Sequence, residues 1–210
     1  MTPLGDDKQK NVDGRATRAI RDFNRNHRDI LNAATELIDG NTPRSLTVAA
    51  VAKRSGFSSV TVHKHFPGGR AEIVGIIVSQ ILARGTQKYV QQAPTLSGEE
   101  HPRAVLFALV DEFLSNKNLV IHSVSMSIEL ADENAWIPDS TGLAWHSIEM
   151  AEKTIKLPAT VAELATLMTT FFRGALYAWC LHSISDEEFK RLAVQSFDVA
   201  IAAAEAGHHA

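Results

Sequence analysis

The residues that decide the fold run from Thr47 to Phe66: Thr47-Val48-Ala49-Ala50-Val51-Ala52-Lys53-Arg54-Ser55-Gly56-Phe57-Ser58-Ser59-Val60-Thr61-Val62-His63-Lys64-His65-Phe66. They describe two short helices joined by a tight turn. The Thr47 hydroxyl is placed to accept one of the backbone N–H groups that a helix start leaves without a partner. Val48, Val51 and Ala52 recur at helical spacing and give the first helix one apolar side. Gly56 stands where that helix must stop, a position that often needs positive φ, which glycine adopts without steric cost. Phe57 is expected as a buried anchor between the helices. Ser58 can cap the second helix, which runs through Val62 towards Phe66 and turns Ser59, Thr61, His63 and Lys64 outward. A hydroxyl-rich, basic surface on a short helix suits phosphate oxygens and base edges in a major groove, so the stretch reads as a helix-turn-helix.

Working outward, Ile30-Leu31-Asn32-Ala33-Ala34-Thr35-Glu36-Leu37 precedes the motif and Thr61-Val62-His63-Lys64-His65-Phe66 closes it. With Thr47–Ser58 between them, these segments make Asn26–Glu72 resemble the DNA-binding domain of the tetracycline-repressor (TetR) family of bacterial transcription regulators. The match covers about a quarter of the chain and is specific, far more so than a lone short motif. The resemblance implies that Thr47, Ser58, Ser59, Val60, Thr61, His63, Lys64 and Arg70 face DNA. It departs from the family's pattern at three places. His63 replaces a tyrosine that touches a phosphate, a contact an imidazole can also make, and more strongly when protonated. Val60 occupies a position where small residues are common, and its methyls could read a thymine methyl or crowd the groove. After Phe66, the run Pro67-Gly68-Gly69-Arg70 puts the basic residue one position late, which leaves the role of Arg70 open.

Composition agrees. The chain has 210 residues, with hydrophobic content of 45% and charged content of 21%, which is ordinary for a globular protein. Its net charge of -3 conceals an asymmetry, because residues 1–70 carry +5 and the remainder -8. Positive charge gathers around the motif, and the acidic body favours solubility. The single Cys180 cannot close an internal disulfide and sits among Ala178, Trp179 and Leu181, so a buried structural thiol in a reducing cytoplasm is expected rather than a redox sensor. The polar, charged N-terminus argues against a secretory signal, and no apolar stretch approaches the ~20 residues a membrane span needs.

Beyond the motif the pattern is helical throughout, giving an all-α expectation. A long helix is expected from Arg70 or Ala71 to about Gln92, then others over about 99–115, 119–131 and 140–155, with Trp136-Ile137-Pro138-Asp139 as a loop. Three capping boxes, Ser97–Glu100, Thr160–Glu163 and Ser185–Glu188, mark helix starts. The last two helices are expected from Val161 to about His182 and from Asp186 to about Ala206. The resemblance implies the same layout of nine helices: a three-helix DNA-binding domain (25–70) behind a basic arm (1–24), then about six helices for effector binding and dimerisation (71–210).

On the last two helices, Leu164, Met168, Phe171 and Ala175, with Leu192, Phe197, Ala200 and Ile201, are the residues expected to meet a second copy. In the family these helices form a four-helix dimer interface. The other reading is that they are core helices of a monomer. Two-fold symmetry would also suit a palindromic operator. Phe107, His122, Met126, Trp145, Glu149, Arg173 and Tyr177, together with His146, are aromatic or polar residues in apolar helical company and candidates for an effector pocket. For any one of them ordinary packing or exposure is the commoner role, and Glu149 could simply pair with Arg173. Arg15, Arg18, Arg21, Arg25 and Arg28 recur every three or four residues, either as a DNA-following arm or as a solvated tail diluted by Asp13, Asp22 and Asp29.

No enzyme signature competes. The chain has no paired Glu-x-x-His, no Gly-x-Ser-x-Gly, no phosphate loop and no dinucleotide fingerprint. His122, His182, His208 and His209 have no ligand spacing, so neither metal nor cofactor is called for. The expected function is a cytoplasmic, homodimeric repressor that leaves double-stranded operator DNA when a small molecule binds. An activator, or a regulator without ligand, would share every DNA-binding feature.

Overall fold

The computed structural model describes residues 6–40, 45–129 and 141–207, with side-chain surroundings for 14–40, 45–126 and 141–207. The loop expected at Trp136–Asp139 and the His208–His209 pair lie outside these residues. All regular structure in the described residues is helical, in ten α-helices with 3-10 geometry at Ser45 and over Ala93–Thr95. The chain divides into two compact units, residues 1–73 and 74–210.

The first unit contains α1 (Asp6–Gly40), α2 (Val48–Ser55) and α3 (Ser59–His65). Ile30, Leu31, Ala34 and Ile38 recur at helical spacing on α1 and are buried with Leu46, Val51, Val62, Phe66 and Ile73. Each fully buried aliphatic or aromatic side chain contributes roughly 1.5–3 kcal/mol relative to an exposed one. Arg54 of α2 reaches back to Glu36 of α1, Nε at 2.9 Å and Nη2 at 2.6 Å. The basic segment is helix throughout its described part, and α1 runs ~50 Å without a break. Residues 14–21 are exposed all round.

α4 (Gly69–Gln92) begins in the first unit and continues into the second, which also holds α5 (Glu100–Ser115), α6 (Lys117–Glu129), α7 (Thr141–Glu152), α8 (Val161–Cys180), α9 (Asp186–Val194) and α10 (Ser196–Gly207). α8 is the central element, packed against α6, α7, α9 and α10. An aromatic column crosses this core. Trp179 stacks on Phe189 with centroids 4.5 Å apart, Phe189 meets Phe172 at 6.4 Å, and Phe172 meets Phe113 at 6.0 Å. α4 and α5 approach closely at Gly85, where a Cβ would stand 2.9 Å from Leu109 Cδ2.

Polar groups in this unit are tied to one another. The Glu112 carboxylate, almost buried, receives Arg84 Nε at 2.9 Å and Lys88 Nζ at 2.8 Å. Burial alone would raise its pKa, but the bonds from Lys88 and Arg84 outweigh that and hold it below the ordinary value. Asp186 receives both Lys117 Nζ, at 2.6 Å, and the Trp179 indole N–H, at 2.8 Å, joining the starts of α6 and α9 to the end of α8.

Several sequence expectations need correction. The last helix is two helices, parted at Gln195. The Ser196 hydroxyl donates to the Ala193 carbonyl at 2.7 Å, so a side chain competes for a carbonyl that a continuous helix would use. α8 stops at Cys180, because His182 adopts φ 57 and the N–H groups of Ser183 and His182 return to the carbonyls of Ala178 and Trp179. The capping boxes are partial. Thr160 and Ser185 accept from the N–H groups of Glu163 and Glu188, but the Glu188 carboxylate is taken by Arg191. At Ser97 the carboxylate half forms, with Glu100 accepting the Ser97 N–H at 2.8 Å.

Phe57 is only half-buried, and Val62 and Phe66 are the anchors instead. Five of the residues expected to meet a second copy, Leu164, Met168, Ala175, Phe197 and Ala200, are buried inside this chain by the helices around α8. Of that set, Phe171, Leu192 and Ile201 retain partial exposure.

Candidate nucleic-acid interface

The helix-turn-helix is set by local chemistry. Thr47 is extended and accepts the Ala50 N–H at 3.1 Å, starting α2. Gly56 ends it at φ 76 and ψ 12, in the left-handed region, with its N–H on the Ala52 carbonyl. Ser58 starts α3 by accepting the Thr61 N–H at 3.1 Å, and its hydroxyl also lies 2.9 Å from that of Thr61. Each capping hydroxyl keeps its own proton for donation, so Thr47, which is exposed, remains able to donate to a phosphate oxygen.

These caps orient α3. Val62, His65 and Phe66 face inward and are buried. Ser59, Val60, His63 and Lys64 face solvent, with Val60 80% exposed, and Thr61 is half-buried. An exposed valine on a seven-residue helix contributes nothing to this unit's core, so its methyls are available to a partner surface. The turn after α3 is held by the Gly68 N–H on Glu72 Oε2 at 2.8 Å and by Gly69 at φ 60. The space beside Gly69 is bounded by Val48 Cγ2 and His63 Cε1, which places the His63 ring beside the start of α2. Arg70 follows on the first turn of α4, half-buried.

Behind α3 lies a cluster that the sequence reading missed. Phe23 and His27, one turn apart on α1, pack on His65 and Phe66. Phe23 stacks on His65 at 4.1 Å, His27 stacks on Phe66 at 4.3 Å, and the two imidazoles are 5.9 Å apart. Burial lowers the His65 pKa, and the positive charge of His27 and Lys64 lowers it further. The available signal was the spacing of Phe23 and His27, which continues the Ile30, Ala34, Ile38 stripe towards the N-terminus.

The arginine series on α1 is exposed. Arg25 pairs with Asp22 at 3.1 Å, whereas Arg15, Arg18, Arg21 and Arg28 have no ion pair among the described residues.

The effector candidates are not brought together. Met126 is fully buried, His122 is half-buried, and Phe107, Trp145, Glu149, Arg173 and Tyr177 are exposed to different degrees. Glu149 lies 3.9 Å from His146 on its own helix. A hollow of about 300 Å³ in the second unit is bordered by Lys88, Gln92, Phe107, Asp111 and Lys190, and Phe107 is the one candidate on its rim. Cys180 is buried and its thiol is pushed up to about 12 by burial, which leaves it protonated and inert. No described helix is long and apolar enough to cross a membrane.

Residues 30–74 match the model of bacterial regulatory proteins of the tetR family. No curated protein matches the chain in sequence. Among solved structures, a Rhodococcus sp. protein assigned to the TetR-family transcriptional regulators aligns with a TM-score of 0.59 at 21% identity, over 84% of this chain and 98% of that one. A TetR transcriptional regulator from Rhodococcus sp. RHA1 aligns at 0.59 and 20%, over 84% and 95%. A Mesorhizobium loti MAFF303099 protein assigned to the same family aligns at 0.61 and 16%, over 86% and 97%. At such identities the likeness to these structures is one of fold.

Proposed function

We propose, for a chain that has the N-terminal domain and the fold of a TetR-family transcriptional regulator, that it works as a cytoplasmic homodimeric repressor released from its operator by a small molecule. The observation that carries the reading is the division of α3 into a buried side, Val62, His65 and Phe66, and an exposed side, Ser59, Val60, His63 and Lys64. Such a helix is fixed from behind and offers hydroxyls, methyls and a cation to a groove. Thr47 and Arg70 would hold phosphates at either end.

Dimerisation is supported by apolar surface that the chain leaves uncovered. On α8 and its C-cap, Leu167, Phe171, Gly174, Ala178 and Leu181 recur at spacings of four and three and are all partly or fully exposed, Leu181 most of all at 71%. On α10, Val199, Ala202, Ala203 and Ala206 are exposed and small enough for close helix approach. These residues replace the buried ones as the surface for a second copy. Effector release is supported by the separate helical unit and its hollow beside Phe107, whose volume is at the lower end of the ligand-pocket range. The ligand would act through unequal affinity for DNA-competent and incompetent forms.

Selection from random duplexes by the purified protein tests the reading, with enrichment of a palindrome as the expected result. Recovery of no preferred sequence would sink it. Leu181→Glu should yield a monomer in sedimentation, and an unchanged dimer would refute the α8 surface.

A further inference from the structure

The ring cluster behind α3 lies in a position that DNA reading depends on. Its members span two elements, Phe23 and His27 on α1 and His65 and Phe66 at the end of α3. His65 is 7% exposed, and its Nδ1 is buried without a hydrogen-bond partner among the described residues. A neutral imidazole tolerates this site, because its faces lie against aromatic rings and an unused lone pair is its only unmet group. A second proton changes that. It places an N–H on Nδ1 with no acceptor and adds a charge in a site already facing His27 and Lys64.

The unit offers little compensation. Asp22 is taken by Arg25, Glu36 by Arg54 and Glu72 by the Gly68 N–H, while Asp29 and Asp39 are exposed on α1. His63 and Lys64, the residues that would touch phosphate, precede His65 directly, so loosening His65 moves them.

We propose that His65 is a positioning residue that makes DNA reading acid-labile: neutral, it stacks on Phe23 and, beside the His27–Phe66 stack, holds α3 against α1, and protonated, it releases α3. The inference rests on the DNA-binding reading above and adds a regulation to it. The sign is informative. Acid ordinarily strengthens phosphate binding by adding positive charge to a surface, whereas here acid weakens sequence-specific binding.

The experiment uses the full chain and the duplex it enriches, with affinity measured from about pH 7.5 to about pH 5.5. The expected result is a loss of about tenfold or more on the acid side. His65→Phe stacks without titrating, so its profile is expected to be flat or rising towards acid, whatever its affinity at neutral pH. A histidine NMR titration of the unmodified protein gives a second readout, in which the His65 ring should titrate below the ordinary 6.5 together with ring-current shifts from Phe23. A wild-type affinity that does not fall in acid, a profile that His65→Phe leaves unchanged, or a His65 ring titrating at or above 6.5 would overturn the proposal. Failure to enrich any duplex would overturn the DNA-binding reading itself, and this proposal with it.

Discussion

The two units differ in how many of their polar residues are left for a partner. In the second, ionised groups are consumed by one another. Glu112 binds Arg84 and Lys88, Asp186 binds Lys117 and Trp179, and Arg103 binds Asp198 at 2.6 Å and Glu99 at 2.9 Å. In the first, Arg54 binds Glu36 and Arg25 binds Asp22, but Ser59, Val60, His63 and Lys64 point outward and four arginines of α1 stay without ion pairs among the described residues. A surface whose polar groups already have partners is built to hold a shape. A surface whose groups do not is available to something else.

The comparison can be broken most forcefully in the two cores. Phe66→Ala and Phe189→Ala each remove a fully buried aromatic ring and should each cost about 3–5 kcal/mol in denaturant unfolding. A much smaller loss for Phe66→Ala would mean that α3 is not anchored from behind, and the outward face would lose its significance.

Next in size are the residues expected to meet DNA. Thr61→Ala should weaken binding to the enriched duplex by about 1–3 kcal/mol, with little effect on a scrambled one. Lys64→Ala should weaken both and flatten the dependence of log affinity on log salt by about one unit. Equal binding by both variants would show that the free residues of α3 serve another partner.

Glu112→Gln tests the opposite claim, that the second unit's charges serve shape. It should cost about 1–2 kcal/mol, moderated because Arg84 and Lys88 reach solvent. With its folded pKa below the ordinary 4.5, this carboxylate contributes stability that is complete above 4.5 and is lost as pH falls through the lower folded value. The acid limb of the stability curve should therefore shrink in the Gln variant. Smallest is Thr47→Ala, expected to cost about 1 kcal/mol through loss of one helix cap.

What was legible in the sequence follows the reach of each interaction. Thr47, Gly56 and Ser58 were readable because a capping hydroxyl bonds a donor three residues away and a left-handed turn involves one residue. The outward set on α3 followed from those caps. Leu164, Met168, Ala175, Phe197 and Ala200 were misplaced because periodicity shows that a face is apolar, not which neighbour covers it. The Phe23, His27 and His65 cluster was missed because it joins distant positions, with His65 on α3 lying 38 residues after His27 and 42 after Phe23 on α1. The break at Gln195 depends on a serine hydroxyl choosing a carbonyl, which no pattern of apolar residues records.

The Trp179–Phe189 stack has an optical consequence. All three tryptophans, Trp136, Trp145 and Trp179, and both tyrosines, Tyr89 and Tyr177, lie beyond residue 73. Trp179 is shielded from water and bonded to Asp186, whereas Trp145 is 44% exposed. Intrinsic tryptophan and tyrosine emission therefore originates entirely in the second unit. A change in emission when DNA is added would come from side chains of the second unit and not from those of the helix-turn-helix itself.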